Sequence, residues 1–324
     1  MAKVPLTFAS GLYDRVVELA TGAIPVEGVD LNFINIDSPR EIFDRMSGSQ
    51  EFDASEYSSS EFVSRFCAGQ CPFVAIPVFP SRAFRHGFIV VNRKFVTKPK
   101  DLEGKRIGLP MYTMTASIFI KGLLQHEYGV DLSKIEWVEG QINGGDAHGA
   151  PTTMPLVRPV PIVQNKTGRS LSDLLEAGEI HATIGTGLPN ALGKNPDIQR
   201  LFPNYREAER AYFEKTGIFP IMHLVAIRKD VYERHPFVAT SLFRAMSAAK
   251  NQALKKMRAV VSLRYMLPWM NADIEENDRI FGGDPFPYGI EANRRTLEAL
   301  ITYLHDQHLI EKPVKIEDLF APVY

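Results

Sequence analysis

The chain has 324 residues, 45% of them hydrophobic and 23% charged, enough to bury two cores and too apolar for a disordered chain. Thirty-seven lysines and arginines against 38 acidic residues leave a formal charge of -1, which gives no bulk field for nucleic acid or an anionic membrane. No window approaches about 18 uninterrupted apolar residues, so no membrane-spanning helix is expected.

The opening segment, MAKVPLTFAS, carries one lysine, no apolar core and no small-residue cleavage site. No signal peptide is therefore expected, and a cytoplasmic location fits. It leads into a first strand, VPLTFAS, and a helix from about Tyr13. DLNFINI is a second strand, followed by SPREIFDRM, where Ser38, Pro39 and Glu41 supply a helix cap, a first-turn proline and a capping-box acid. FDAS precedes EYSSSEFVSRF, with Ser58 and Glu61 in the same S-x-x-E arrangement, and PFVAIPVF is the next strand. This alternation predicts a mostly parallel sheet covered by helices. The cysteines, Cys67 and Cys71, lack a second pair for a zinc site and read as one buried thiol and one loop thiol.

A second set of elements follows. DLEGKRIGLP gives a helical turn, a tight glycine and a strand; YTMTAS starts a helix near Thr113 to Thr115 that ends at Gly129. KIEWVEG is a strand, 140–170 is mainly loop with one short strand, and LSDLLEAGEIHATIGTG is helix, turn, strand. IMHLVAIRKD adds one more strand, and the remainder is mainly helical. The expected architecture is a two-lobed α/β clamp with a ligand cleft between lobes. Residues 1–86 and 224–324 form lobe one, and 87–223 form lobe two. The crossings fall near 82–92 and 219–227, each with a histidine, His86 and His223. If the crossings lie side by side, both histidines face the cleft, beyond the strand ends where ligands of α/β sheets bind.

Between two strand-like runs, FPSRAFRHGF places Arg82, Arg85 and His86 where a plain core connection would avoid charge. That string, the YDR at Tyr13, Asp14 and Arg15, the segment EFDASEYSSSEF, DLEGKRIGLP with YTMTAS, and TGIFPIMH carry a likeness. With LPW, PYG and the closing DLFAP, they make the chain resemble the 4,5-dihydroxyphthalate decarboxylase family over almost its whole length. The resemblance implies a type 2 periplasmic-binding-protein fold put to enzymatic use. Two positions depart from the family pattern: Leu12, where a polar or acidic residue is expected, and the small residues Gly185 to Leu188, where an arginine is expected.

Cofactor-free loss of CO2 from a hydroxylated ring requires a proton on the carbon that bears the carboxylate. An arginine fork suits the carboxylates, and a histidine can donate the proton near neutral pH. Arg82, Arg85 and Ser81 are therefore expected to bind substrate, and His86 or His223 to act as the acid. Glu56 and Ser58 are candidates to orient or deprotonate a ring hydroxyl. Thr113, Thr115 and the helix they begin offer hydroxyls and backbone N–H groups to a carboxylate. Tyr13, Asp14 and Arg15 line the same cleft in this reading.

The plainer alternatives are surface ion pairs for Arg82 and Arg85, a local ion pair for Asp14 and Arg15, and a capping role for Ser58. His126, His235, His305 and His308 read as surface or packing residues, and Phe43, Phe52, Phe62 and Phe66 as core. His86, His223 and a nearby carboxylate could make a metal site with an open position, but no H-x-H or H-E-x-x-H pattern supports one, and no cofactor is expected. The partner is a small aromatic acid, with no nucleic acid or membrane, and the helical surface after residue 236 offers a face for self-association. A non-catalytic solute-binding protein for a small organic acid is the rival from another class.

Overall fold

The computed structural model describes residues 2–144, 154–259 and 261–324. In chain order the elements are β1 (Val4–Ser10), α1 (Val17–Ala20), β2 (Val29–Asn35), α2 (Pro39–Gly48), β3 (Ala54–Ser58), α3 (Ser59–Cys67) and β4 (Phe73–Arg82). Then come β5 (Val90–Asn92), β6 (Arg106–Leu109), α4 (Thr115–His126), β7 (Glu136–Glu139), β8 (Ile162–Gln164), α5 (Leu171–Ala177), β9 (Ala182–Thr183), β10 (Ile198–Arg200) and α6 (Tyr205–Thr216). The chain closes with β11 (Ile221–Arg228), α7 (Lys229–Arg234), α8 (Phe237–Met257), α9 (Met270–Phe281), α10 (Arg294–Asp306) and α11 (Ile316–Leu319). Part of the loop read over 140–170 lies outside the described residues.

Two sheets form the two lobes, in the orders β2-β1-β3-β11-β4 and β10-β5-β9-β6-β7-β8. The predicted parallel pairing holds for β1 with β2 and β3, and for β6 with β7 and β9. The returning strand changes the picture in the first sheet. β11 inserts antiparallel between β3 and β4, which the βαβα order alone would have made neighbours. Its sequence IMHLVAIR is buried on both faces except at its polar positions, and a strand of that kind belongs in the middle of a sheet.

The end of β4 and the start of β11 lie side by side. Arg82 pairs with Ile221 and Ser81 with His223, and the Ala83 N–H donates to the Pro220 carbonyl at 3.2 Å. The helix caps are as the sequence implies: Ser38 accepts from Glu41 N–H and Ser58 from Glu61 N–H. The Glu61 carboxylate does not close a capping box, because Tyr57, Ser47 and Arg65 hydrogen-bond it in the interior.

α8 packs on the first sheet beside β4, whereas α10 packs on both α3 and α4. The ring of Tyr303 lies against Gly122, and Gln307 Nε2 donates to the Ile118 carbonyl at 2.9 Å. Glycine at 122 is what allows this approach. The C-terminal helices thus cover the first sheet and also grip α4, the helix that follows β6 of the second sheet. Among the described residues, no helix is long and apolar enough to cross a membrane.

Candidate active site

β1, β3 and β4 run in the same direction, so Ser10, Ser58 and Arg82 end at one edge of the first sheet. β11 begins at that edge. His223 lies opposite Ser58 on one side and Ser81 on the other, between two irregularities of the β4–β11 register. Such bulges re-aim a side chain out of the regular alternation. His223 Nδ1 hydrogen-bonds Glu56 Oε1, and Phe43 packs edge-on against the imidazole with centroids 4.9 Å apart.

Glu56 is fully buried and accepts from four groups. Besides His223, these are Tyr13 Oη at 3.0 Å, Ser10 Oγ at 2.9 Å and the Gly11 N–H at 3.3 Å. Four donors meet the full acceptor capacity of a carboxylate. Burial on its own pushes the carboxyl up, but the His223 charge and the hydrogen bonds from His223, Ser10 and Tyr13 outweigh it and hold it below the ordinary range. Glu56 is therefore an anion, and burial beside it pushes the Tyr13 phenol well up. Tyr13 stays a neutral donor. His223 Nε2 has no hydrogen-bond partner among the described residues, and the side chain is 16% exposed.

Arg15 continues the group. Its guanidinium stacks 4.4 Å over the Tyr13 ring and 4.8 Å over Phe286. Nε donates to the Pro80 carbonyl at 2.5 Å, one residue before Ser81, and Nη1 pairs with Asp14 at 3.0 Å. Arg15 and His223 thus stand over consecutive residues of β4.

On the other side of His223, Ser58 Oγ meets Thr115 Oγ1 at 3.0 Å. Thr115 also accepts from Ser60 N–H at 3.1 Å, and Ser60 Oγ donates to the Thr113 carbonyl at 2.9 Å. These bonds join the N-termini of α3 and α4, whose dipoles favour an anion. The Ser59 and Thr113 hydroxyls there are buried without partners.

The structure does not bring Arg82, Arg85 or His86 of FPSRAFRHGF onto Glu56 or His223. Arg82 is buried, with Nη2 donating to the Pro287 carbonyl at 3.1 Å and to Asn293 Oδ1, and Nη1 reaching the Phe219 carbonyl at 3.5 Å. Arg85 is buried over the Phe88 ring at 5.0 Å, in the field of Glu209. Burial lowers Arg82 to about 9 and Arg85 to about 10.

His86 is 1% exposed and caged by Tyr128, Phe202 and Tyr212, with both ring nitrogens unpartnered. Its nearest acid, Glu209, is 4.0 Å away, too far for a hydrogen bond. Burial lowers it to about 4, so it is a neutral ring at physiological pH. The reason is local: residues 86–88 form a short 3-10 turn that buries the ring against α6 instead of opening it to the cleft.

Sequence reasoning missed Ser10, Gly11 and Asn293. Ser10 and Gly11 belong to SGLYDR, a strand end ahead of a tight turn, which is a usable signal. Asn293 holds the turn at 287–289 through two carbonyls, at 2.9 Å and 2.7 Å, and nothing local marks it. At the departures from the family pattern, Leu12 is 51% exposed, and a side chain at Gly185 would run into Pro110 at 2.8 Å. Among the described residues, no group of three or more His, Cys, Asp or Glu side chains has the geometry to hold a metal ion.

The chain matches no family model. It is 33% identical over 329 aligned residues to a 4,5-dihydroxyphthalate decarboxylase of Comamonas testosteroni, covering 99% of this chain and 98% of that one. It is 34% identical over 206 residues to a 4,5-dihydroxyphthalate decarboxylase of Pseudomonas putida, covering 62% of this chain and 78% of that one. Among solved structures, the periplasmic aliphatic sulphonate binding protein SsuA of Escherichia coli superposes with a TM-score of 0.53 at 10% identity, over 99% of this chain and 98% of that one. A putative sulfonate-binding SsuA of Methylobacillus flagellatus gives 0.54 at 13% identity, over 99% and 93%. These distant likenesses establish the periplasmic-binding-protein fold. The full-length sequence relative goes further, and the chain belongs to the 4,5-dihydroxyphthalate decarboxylase family, as an enzyme of the carboxy-lyase class.

Proposed function

We propose that this protein removes CO2 without oxidation from 4,5-dihydroxyphthalate or a closely related hydroxylated phthalate or benzoate, with His223 as the proton donor. The observation that carries the reading is the Glu56–His223 pair, closed by Tyr13 and Ser10 at the C-terminal edge of the first sheet. Glu56 fixes the ring through Nδ1 and leaves Nε2 available to substrate. This is the orienting role a buried carboxylate plays toward a catalytic imidazole.

In this reading the ring hydroxyl para to the departing group pushes electron density toward the carbon that bears the carboxylate. The Nε2 proton forms a C–H bond at that carbon. The C–C bond to the carboxylate then breaks, its electron pair restores the aromatic ring, and CO2 leaves neutral. The imidazole regains its proton from solvent, so each turnover consumes one proton. Arg15 and the N-termini of α3 and α4, with Thr113 and Thr115, are the candidates for binding carboxylates, on either side of His223. Ser58 and Ser81 flank the ring in register, and Asp14 sets the Arg15 fork.

Arg85 and His86 are assigned to shaping the first crossing rather than to direct contact with substrate, and the Nη groups of Arg82 to holding the 287–289 turn. The lobe division, 1–86 with 224–324 and 87–223, and a cytoplasmic location belong to the same proposal. The test is CO2 release by pure, chelator-treated protein from a panel of hydroxylated phthalates and benzoates. Tight binding of an aromatic acid without CO2, with or without added divalent metals, would sink the reading.

A further inference from the structure

Within the electrostatic reach of Arg15 lies a polar cluster around Tyr288 that the proton-transfer step does not use. Tyr288, in the turn 287–289, is packed against the first lobe's core, and its hydroxyl is buried without a hydrogen-bond partner among the described residues. Two further donors nearby are unfilled. Arg82 Nε is buried and unpartnered, and Arg15 Nη2 makes no hydrogen bond among the described residues.

The turn is held firmly. Gly289 N–H donates to the Pro77 carbonyl at 2.8 Å, and Arg82 and Asn293 bind the Pro287 carbonyl at 3.1 and 2.9 Å. Lys250 lies 5.1 Å from the centre of the Tyr288 ring and pairs with Asp284. Around the hydroxyl, the cations Arg15, Arg82 and Lys250 face the carboxylates Asp14 and Asp284, with Asp14 committed to Arg15. Cationic charge is in excess there.

Buried donors without acceptors are rare in folded proteins and costly to leave unfilled. Two of them, Tyr288 Oη and Arg82 Nε, with the unpartnered Nη2 of the part-exposed Arg15 in the same cationic setting, match one ligand chemistry, a carboxylate accepting through both oxygens. Resting on the functional reading above, we infer that Tyr288, with Arg15 and Arg82 Nε, forms a subsite for the carboxylate that remains on the ring, so that Tyr288 selects diacids over monoacids. His223 pairs with Ser81 and Arg15 binds the carbonyl of Pro80 just before it, so the departing carboxylate is placed at the proton donor while its neighbour is held here. Tyr288 is thus a specificity-determining residue that donates to the retained group and takes no part in proton transfer.

The experiment uses full-length wild type and Tyr288→Phe, with phthalate and benzoate as unreactive diacid and monoacid probes. Dissociation constants come from calorimetry, and CO2 release from a hydroxylated phthalate is followed in parallel. Loss of a hydrogen bond to a charged group should weaken phthalate binding about 10-fold or more while benzoate changes less than about twofold. The melting temperature should not fall, because the deleted oxygen has no partner in the unliganded protein.

Equal loss for both acids, no loss for phthalate, or a clearly lower melting temperature would each overturn the subsite. Wild type that releases CO2 while Tyr288→Phe keeps its diacid preference would fail the subsite alone. Diacid binding that depends on Tyr288 in a protein releasing no CO2 would fail the functional reading alone. Wild type that binds neither acid and releases no CO2 would overturn both.

Discussion

His223 and Glu56 sit on neighbouring antiparallel strands, two positions out of direct register, and are hydrogen-bonded through Nδ1 and Oε1. Diagonal neighbours on one face of a sheet are within reach of long side chains. Here that reach ties the start of the return strand to the middle of β3. It puts the one candidate acid with an unpartnered, partly exposed nitrogen at the strand edge that also carries Arg15.

Replacing His223 by Gln should lower kcat by about 10² to 10⁴ while KM changes little, since a general acid acts mainly in the transition state. Glu56→Gln should lower kcat as well, by loosening the ring. Steady-state CO2 release decides the matter. A His223→Gln enzyme with near-normal kcat would remove this histidine from the mechanism.

Arg15→Met should behave differently. It keeps much of the stacking volume over Tyr13 and Phe286 but loses the charge, so KM for an aromatic diacid should rise about 10-fold or more. A pure kcat effect with KM unchanged would argue against carboxylate binding by Arg15.

Arg82→Met tests a structural role. The substitution strands the Asn293 amide oxygen and the Phe219 carbonyl in the interior and leaves the Pro287 carbonyl to Asn293 alone. Each buried unsatisfied group costs about 1–3 kcal/mol, so the denaturation midpoint should drop markedly. Unchanged stability with lost substrate affinity would instead mean that Arg82 serves substrate binding and not the 287–289 turn.

His86 gives a pH prediction. Burial lowers its folded-state pKa from 6.5 to about 4. Between those values the unfolded chain takes up a proton that the folded chain refuses, so stability rises with pH across the window. It should fall by up to about 3 kcal/mol as pH drops from about 7 to 4 on account of this group alone. In His86→Phe, which keeps the aromatic packing, denaturant titrations at several pH values should show that part of the slope removed. A slope identical to wild type would contradict a buried neutral ring.

Gly122→Ala probes the contact between α10 and α4. Alanine would ordinarily favour a helix by about 1 kcal/mol. Here its Cβ would overlap the Tyr303 ring, and overpacking costs about 1–3 kcal/mol, so the net result should be a lower melting temperature. A higher one would mean that Tyr303 yields easily and the grip on α4 is loose.

Alternating apolar runs, the caps at Ser38 and Ser58 and the glycine stop at Gly129 determined the two α/β halves, because each depends on neighbours within a few residues. The grouping of YDR with the segment around Glu56 was legible too, as strand ends in one sheet share an edge. What FPSRAFRHGF would do was not legible. Whether Arg82 meets a ligand or the Pro287 carbonyl depends on a turn some 205 residues away in sequence. His86 and His223 look equivalent in the sequence, one on each crossing. Only packing separated them: three aromatic rings closed over His86 and removed its charge, while the β3–β11 register set His223 diagonally opposite the carboxylate of Glu56. Burial and long-range pairing set a side chain's protonation and partners, and neither is written in local sequence.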